Sequence, residues 1–530
     1  MSAPQTADET TRLISQSPRD EPIDNAPAPG SGAQGLDRRA KRNLLSVFVA
    51  NGLLSFGHYL AIGSIMDLIR GLSCQEYYQS RPPSSPDKTL ECSLVDIEAR
   101  TSSVFSYMLS IGSLFSCLSA LALAPWLLKR LGRRGTMLIG VLTPALELMV
   151  VASIPNRFSS LSTSATPPMW IESSPTSSLR MLLAEALVFG IVACPDAIVG
   201  IVSSAIVLDS VPVDLRSTWL ARLASTQFLG MLAATVALRF VNLDTGSDLV
   251  SDKLPIRIGA AISLLAPLWT LFTLAKPPPS PLEQLQAAQE STPSVQEQSI
   301  GPRLTRAPKP MRLLWPATSL AEPKRDWRLV KLMIAATLCS QITLTTNTVF
   351  VYLQSRFGLH ARDLSLALGL VGTLKWIFLV AIFPRLARYA RSLYTNTALA
   401  DRLLAILSLL LDVLAWIVVI VGGRVHSLPI FLLAMVVYVS AAGNASLITS
   451  LASLMLPQDA SVDEMMATLT SMANIMSTIG PILNSSVYSL GLDAGFPELV
   501  FGLTALVSVG AAALVASTSI GSKPTLVLSR

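Results

Sequence analysis

The chain has 530 residues, of which 51% are hydrophobic and only 14% charged, and its mean hydropathy is +0.53. A soluble domain carries about a quarter charged residues, and no single soluble core of ordinary size buries this much apolar surface, so a bilayer fits the composition better. The formal net charge of +6 could suggest nucleic acid, but the cations sit in short segments between apolar runs, which reads as the Lys/Arg bias of cytosolic loops, so no nucleic-acid partner is expected.

In chain order, residues 1–43 form a polar tail rich in Ser, Pro, Asp and Gln, expected to be disordered and cytosolic. No apolar core follows a basic start there, so no signal peptide is expected. Glu9-Thr10-Thr11-Arg12-Leu13-Ile14 matches an acidic dileucine sorting signal, which makes the vacuolar membrane the alternative to the plasma membrane. Arg38, Arg39, Lys41 and Arg42 then hold the N-terminus in the cytosol.

Six apolar runs follow at Leu44–Met66, Val104–Trp126, Thr136–Ile154, Met181–Leu208, Trp219–Val241 and Ile256–Ala275. Each approaches the roughly 20 residues needed to cross a hydrocarbon core. A Pro-rich, mixed-charge linker occupies residues 276–328, carrying Arg303, Arg306, Lys309, Arg312, Lys324 and Arg325. Six more runs come at Leu329–Leu353, Leu364–Phe383, Leu403–Val421, Leu428–Leu456, Met465–Leu490 and Leu499–Ser517, before a short cytosolic tail at 518–530. The expected fold is all-α: twelve transmembrane helices in two six-helix bundles, residues 44–275 and 329–517.

Lys129, Arg130, Arg133 and Arg134 mark a tight cytosolic turn between the second and third spans. Arg385, Arg388 and Arg391 hold the same place between the eighth and ninth, an internal sign of two related halves. Cys74 and Cys92 share the opposite, outer loop, where an oxidising compartment allows a disulfide; two free thiols are the alternative.

Ionisable side chains inside apolar runs cost about 2.5–3.5 kcal/mol each at a helix centre, so each one needs a reason. Lys375, midway along the eighth span, reads as an anchor for an anionic substrate group or the partner of a proton-accepting carboxylate; a structural ion pair is the bland alternative. Asp196, after Pro195 in the fourth span, is either a proton acceptor or a permanent partner of Arg222 in the fifth. Glu185 lies eleven residues earlier, close to three helical turns, so it shares a face with Asp196, Gly200 and Ser203. Glu147 and Asp412 are weaker candidates, each equally readable as a helix–helix contact. Gln227, Gln341, Asn347, Asn474 and Asn484 offer hydrogen bonds to a ligand or between helices. The Asp209 to Arg216 turn reads as a second gating element or as a solvated loop. No phosphate-binding Gly-Lys loop and no metal-ligand spacing occurs, and the three histidines are scattered, so no cofactor or metal is expected and an ATP-driven pump is disfavoured.

The hinge resembles that of the major facilitator superfamily, Gly-x-x-x-Asp-Arg-x-Gly-Arg-Arg, at Arg130, Gly132, Arg133 and Arg134, with Lys129 in place of its Asp and Pro125 in place of its opening Gly. The Gly/Pro signature of proton antiporters in the fifth span is absent; Gly230 alone does not make it. A narrower resemblance is to a fungal branch near the proton-coupled folate and haem carriers. It rests on Cys74-Gln75-Glu76-Tyr77-Tyr78, on Val351-Tyr352-Leu353-Gln354-Ser355-Arg356-Phe357-Gly358 and on Ser446-Leu447-Ile448-Thr449-Ser450-Leu451, with Ala445 where a basic residue is usual. The resemblance implies a monomeric, non-enzymatic secondary transporter in membrane lipid, moving a small organic molecule with protons as coupling ion. It implies export of a specialised (secondary) metabolite, with proton-coupled uptake of a nutrient or cofactor-like anion as the alternative. A transport-inactive receptor or scaffold is the reading from another class.

Overall fold

Long apolar runs separated by short polar turns leave the backbone one economical solution in lipid, the helix, which satisfies its hydrogen bonds internally. The computed structural model describes residues 37–80, 95–153, 184, 188, 195–241, 254–275, 313–314, 326–357, 361–394, 396–457 and 460–519. The N-terminal half contains α1 (Arg38–Ser80), α2 (Val95–Leu118), α3 (Ala124–Ser153), α4 (Pro195–Ser210), α5 (Arg216–Val241) and α6 (Leu254–Thr273). The C-terminal half contains α7 (Arg328–Phe357), α8 (Ala361–Ile377), α9 (Phe383–Leu393), α10 (Thr397–Arg424), α11 (Leu428–Ser440), α12 (Asn444–Leu454), α13 (Val462–Asp493) and α14 (Leu499–Ala516). With α9 prolonging α8 and α12 prolonging α11, these make twelve helical passes. Eight helical stretches among the described residues are long and apolar enough to cross a membrane by length and composition.

The two halves repeat one another in detail. The α2 and α8 helices each end in a five-residue π turn, Ser119–Leu123 and Phe378–Ile382, immediately before the cationic segment. Each half also caps its last helix with cations. Arg42, at the start of α1, donates to the Phe272 and Thr273 carbonyls at 2.8 Å, and Arg134 donates to Leu271 O at 2.6 Å. Arg328 and Lys331 of α7 and Arg402 of α10 do the same for Val515, Ala516, Ser517 and Ser519. Carbonyls at a helix C-terminus lack intrahelical partners and carry the negative end of the dipole, so cations there have a structural role beyond topology.

Several boundaries differ from expectation. The first helix runs to Ser80 and takes Cys74 into a fully buried position, so Cys74 is not in a polar loop. The hinge near Arg130 stays helical apart from a break at Gly132, whose φ of 66° only glycine adopts cheaply. Arg385, Arg388 and Arg391 are likewise on a helix, α9, rather than in a turn. The tenth pass is broken at Ala441–Gly443: the Asn444 side chain takes the Ala445 N–H, and the Ala441 carbonyl accepts from the Asn444 N–H at 3.2 Å and from the Ser408 hydroxyl at 2.8 Å. A window of apolar residues hides such a break because hydropathy does not register where a carbonyl finds its partner. Small residues also let helices touch: a Cβ on Gly259 of α6 would come within 2.5 Å of Gly57 O of α1.

Candidate functional site

Lys375 sits in the last turn of α8, just before its π turn, and only 8% of it is exposed. Its ammonium lies 4.1 Å from the centre of the Tyr438 ring of α11 and 5.2 Å from that of Phe228 of α5, so it is held between one ring from each half. Cation–π contact of this kind partly replaces lost hydration without consuming the charge as an ion pair would. Among the described residues no carboxylate forms a direct salt bridge with it. Around it α5 and α8 run close together. A Cβ on Gly369 would lie 2.8 Å from Thr235, and one on Gly372 would lie 3.2 Å from Met231. Ser110 of α2 donates to Thr478 O of α13 at 3.4 Å, joining the other pair of facing helices.

The remaining sequence candidates are distributed unevenly. Arg222 is half-buried with its guanidinium 4.9 Å from the Trp219 ring, and Gln227 donates to the Tyr59 hydroxyl at 3.3 Å. Asn474 faces inward with a buried Nδ2 that has no hydrogen-bond partner among the described residues. Gln341 and Asn484 bond to each other at 2.9 Å, an interhelical contact. Asp196 is the second residue of α4 and Asn347 lies on α7, but their side chains lie outside the described residues, as does Glu185, so the expected Asp196–Arg222 pair falls outside them too. Cys74 is not a free thiol; Cys92 lies outside the described residues.

The cationic segments tie the halves together at the end assigned to the cytosol. Arg133 reaches Asp209 at the end of α4 (2.5 Å) and binds Asp463, in the first turn of α13, through both Nη2 (3.1 Å) and Nε (3.2 Å). Burial works against the charged guanidinium, but the two carboxylates outweigh it and hold Arg133 more firmly protonated than usual. Arg391 of α9 pairs with Asp401 at 2.8 Å and also donates to the Asp214 carbonyl and Ser217 hydroxyl of the other half. Arg216 donates to Ser453 of α12 at 3.3 Å. Each half thus sends one hinge arginine to the start of an inner helix of the other. Arg130 is exposed and Gly132 supplies the backbone break, so of the four hinge residues Arg133 and Arg134 make the side-chain contacts.

Two buried clusters of the C-terminal half carried little weight in the sequence, Asp412 as a weaker candidate and Glu498 not at all. Tyr352 donates to Glu498 at 2.7 Å, with Arg424 3.8 Å from the other carboxylate oxygen. Asp412 of α10 is 1% exposed and accepts from Ser508 of α14 at 2.6 Å. A glutamate after a proline and an aspartate in a run of leucines were visible, but only packing shows that both are enclosed.

No protein-family model matches the chain and no curated protein matches it by sequence. Solved structures do match over nearly its whole length. A human organic anion transporter, MFSD10, superposes with a TM-score of 0.63 at 17% identity, covering 90% of this chain and 100% of its own. A double-Trp mutant of XylE gives 0.60 at 15% identity over 91% and 96%, and a bacterial homologue of the iron transporter ferroportin, in an outward-facing state, gives 0.55 at 12% over 91% and 99%. The chain has the major facilitator fold and is a multi-pass membrane protein.

Proposed function

We propose that the chain is a secondary active transporter of a small organic anion, working by rocking of its two halves about Lys375. The carrying observation is that buried ammonium, seated between Phe228 of one half and Tyr438 of the other with no direct ion pair among the described residues. A cation held by ring faces is available to an anionic group, whereas one already paired with a carboxylate would first have to be released. The Arg133 and Arg391 contacts act as a cytosolic latch that must open for the passage to face inward. The fold is shared with a protein described as an organic anion transporter and with one described as a proton:xylose symporter, which supports small-molecule carriage and a proton as coupling ion. A Cys74–Cys92 disulfide would tie the end of α1 to the segment that follows it.

Two physiological directions fit: export of a specialised metabolite, and uptake of a nutrient or cofactor-like anion. The plasma membrane is the expected site, with the vacuolar membrane as alternative. Comparing organic anions inside and outside cells with and without the gene names the substrate. Counterflow of that anion in reconstituted vesicles then tests carriage: exchange supports the transporter, and correctly folded protein giving none supports a receptor.

A further inference from the structure

A carboxylate that lies inside a helical bundle must be paired, hydrogen-bonded or neutral, because desolvation penalises its charged form steeply. Asp412 meets only part of this requirement. Ser508 of α14 donates to its Oδ2 at 2.6 Å, and Ser508 is itself fully buried. Its Oδ1 is buried and completes no hydrogen bond among the described residues; the Trp416 indole N–H, one turn along, is near enough to favour the charged carboxylate but falls short of hydrogen-bond geometry. Lys375 of α8 is near enough to attract it electrostatically although the two form no direct ion pair.

Among the described residues the other groups around it are few. From α7 the buried thiol of Cys339 comes within electrostatic reach. From α11 the titratable group is Tyr438, whose ring packs on Trp416 at 5.4 Å and carries the Lys375 ammonium on its face. Asp401, eleven residues earlier on α10, is already bound to Arg391. Behind Ser508 a chain of buried polar side chains crosses the half. Thr504 of α14 contacts Thr345 of α7 at 3.0 Å, Asn484 of α13 donates to Thr345 at 3.4 Å, and Gln341 donates to Asn484 at 2.9 Å.

We infer that Asp412 is the proton site of this carrier, and that Lys375 and Asp412 together bind one organic anion with one proton. The argument rests on the anion reading above and on charge arithmetic. Without ligand, Lys375 and Asp412 sum to zero. A monoanion taken up at Lys375 leaves one net negative charge in a low-dielectric interior, and one proton added to the free lone pair of Asp412 Oδ1 restores neutrality while Ser508 keeps donating to Oδ2. No other bond forms or breaks; the proton comes from water on the open side and returns to water on the other. Anion and proton therefore help each other bind by the same factor. They travel in the same direction, which favours uptake along an inward proton gradient over exchange against it.

Infrared spectroscopy of the protein in lipid vesicles tests this through the band of a protonated carboxyl group, with benzoate as probe. Lys375→Met removes the counter-charge, so a carboxyl band should appear at neutral pH without any anion and vanish in the Lys375→Met/Asp412→Asn double variant. Asp412→Glu should shift the band rather than abolish it, which serves if the Asn variant fails to fold. In wild-type protein, benzoate should raise the same band, and its affinity should weaken up to tenfold per pH unit once the proton must be supplied from solution. Identical spectra for Lys375→Met and the double variant overturn the electrostatic coupling. A Lys375→Met band together with no response of the wild-type protein to benzoate upholds the coupling and counts against the anion reading instead.

Discussion

Replacing Arg133 by Ala should loosen the cytosolic latch, and the size of the effect follows from its surroundings. The side chain is 24% exposed and grips Asp463, itself 27% exposed, through two nitrogens at 3.1 and 3.2 Å. Such partly buried, two-point contacts are worth about 1–2 kcal/mol, more than an ordinary surface pair and less than a fully enclosed one. Asp209 is 42% exposed, so solvent screens its contact and only a few tenths of a kcal/mol (roughly) is added. If the arginine holds the closed arrangement and not the open one, its removal raises the cytosol-open fraction about 5- to 30-fold. Ala467, 1% exposed and one turn beyond Asp463 on the same face of α13, reports this when replaced by Cys. The rate at which a membrane-impermeant maleimide labels it from the cytosolic side should rise by that factor in Arg133→Ala, and Asp463→Asn should add little to the arginine variant. Arg130→Ala, which removes an exposed cation from the same segment, should leave the rate unchanged. Equal rates for the Arg133 and Arg130 variants would refute the latch.

Lys375→Ala should abolish carriage of the anion while the protein still inserts and folds, read as transport against surface-expressed protein. Tyr352→Phe takes the 2.7 Å donor from the enclosed Glu498 and should cost about 1–3 kcal/mol, seen as a lower unfolding midpoint in detergent. Gly259→Val forces a side chain against Gly57 of α1, where even a Cβ meets a carbonyl at 2.5 Å; overpacking of about 1–3 kcal/mol or more should appear as reduced folded yield. Arg402→Gln should loosen the end of α14, whose Val515 and Ala516 carbonyls it caps, detected as faster amide exchange in that last turn.

Much of this was legible in the sequence because bilayer thickness and the bias of cations to cytosolic turns leave few topologies. Lys375 stood out for the same reason: a charge halfway along an apolar run has nowhere to go but inward. Pairings were not legible. The importance of Arg133 depends on Asp463, 330 residues away, and no local pattern joins them. The break at Ala441–Gly443 was hidden because the residues around it are apolar or small apart from Asn444, and Ser408 on a different helix helps to make it tolerable. Asp412 read equally well as a helix–helix contact until packing showed one oxygen satisfied, the other without a hydrogen bond among the described residues and Lys375 nearby.

The most direct test is accumulation of labelled organic anions in vesicles carrying an imposed pH gradient, with wild-type protein, Lys375→Arg and Lys375→Ala compared side by side. The wild-type chain should concentrate at least one anion when protons move with it, Lys375→Arg should keep part of that activity, and Lys375→Ala should keep none. An anion that accumulates equally well in the alanine variant would contradict the account at its centre.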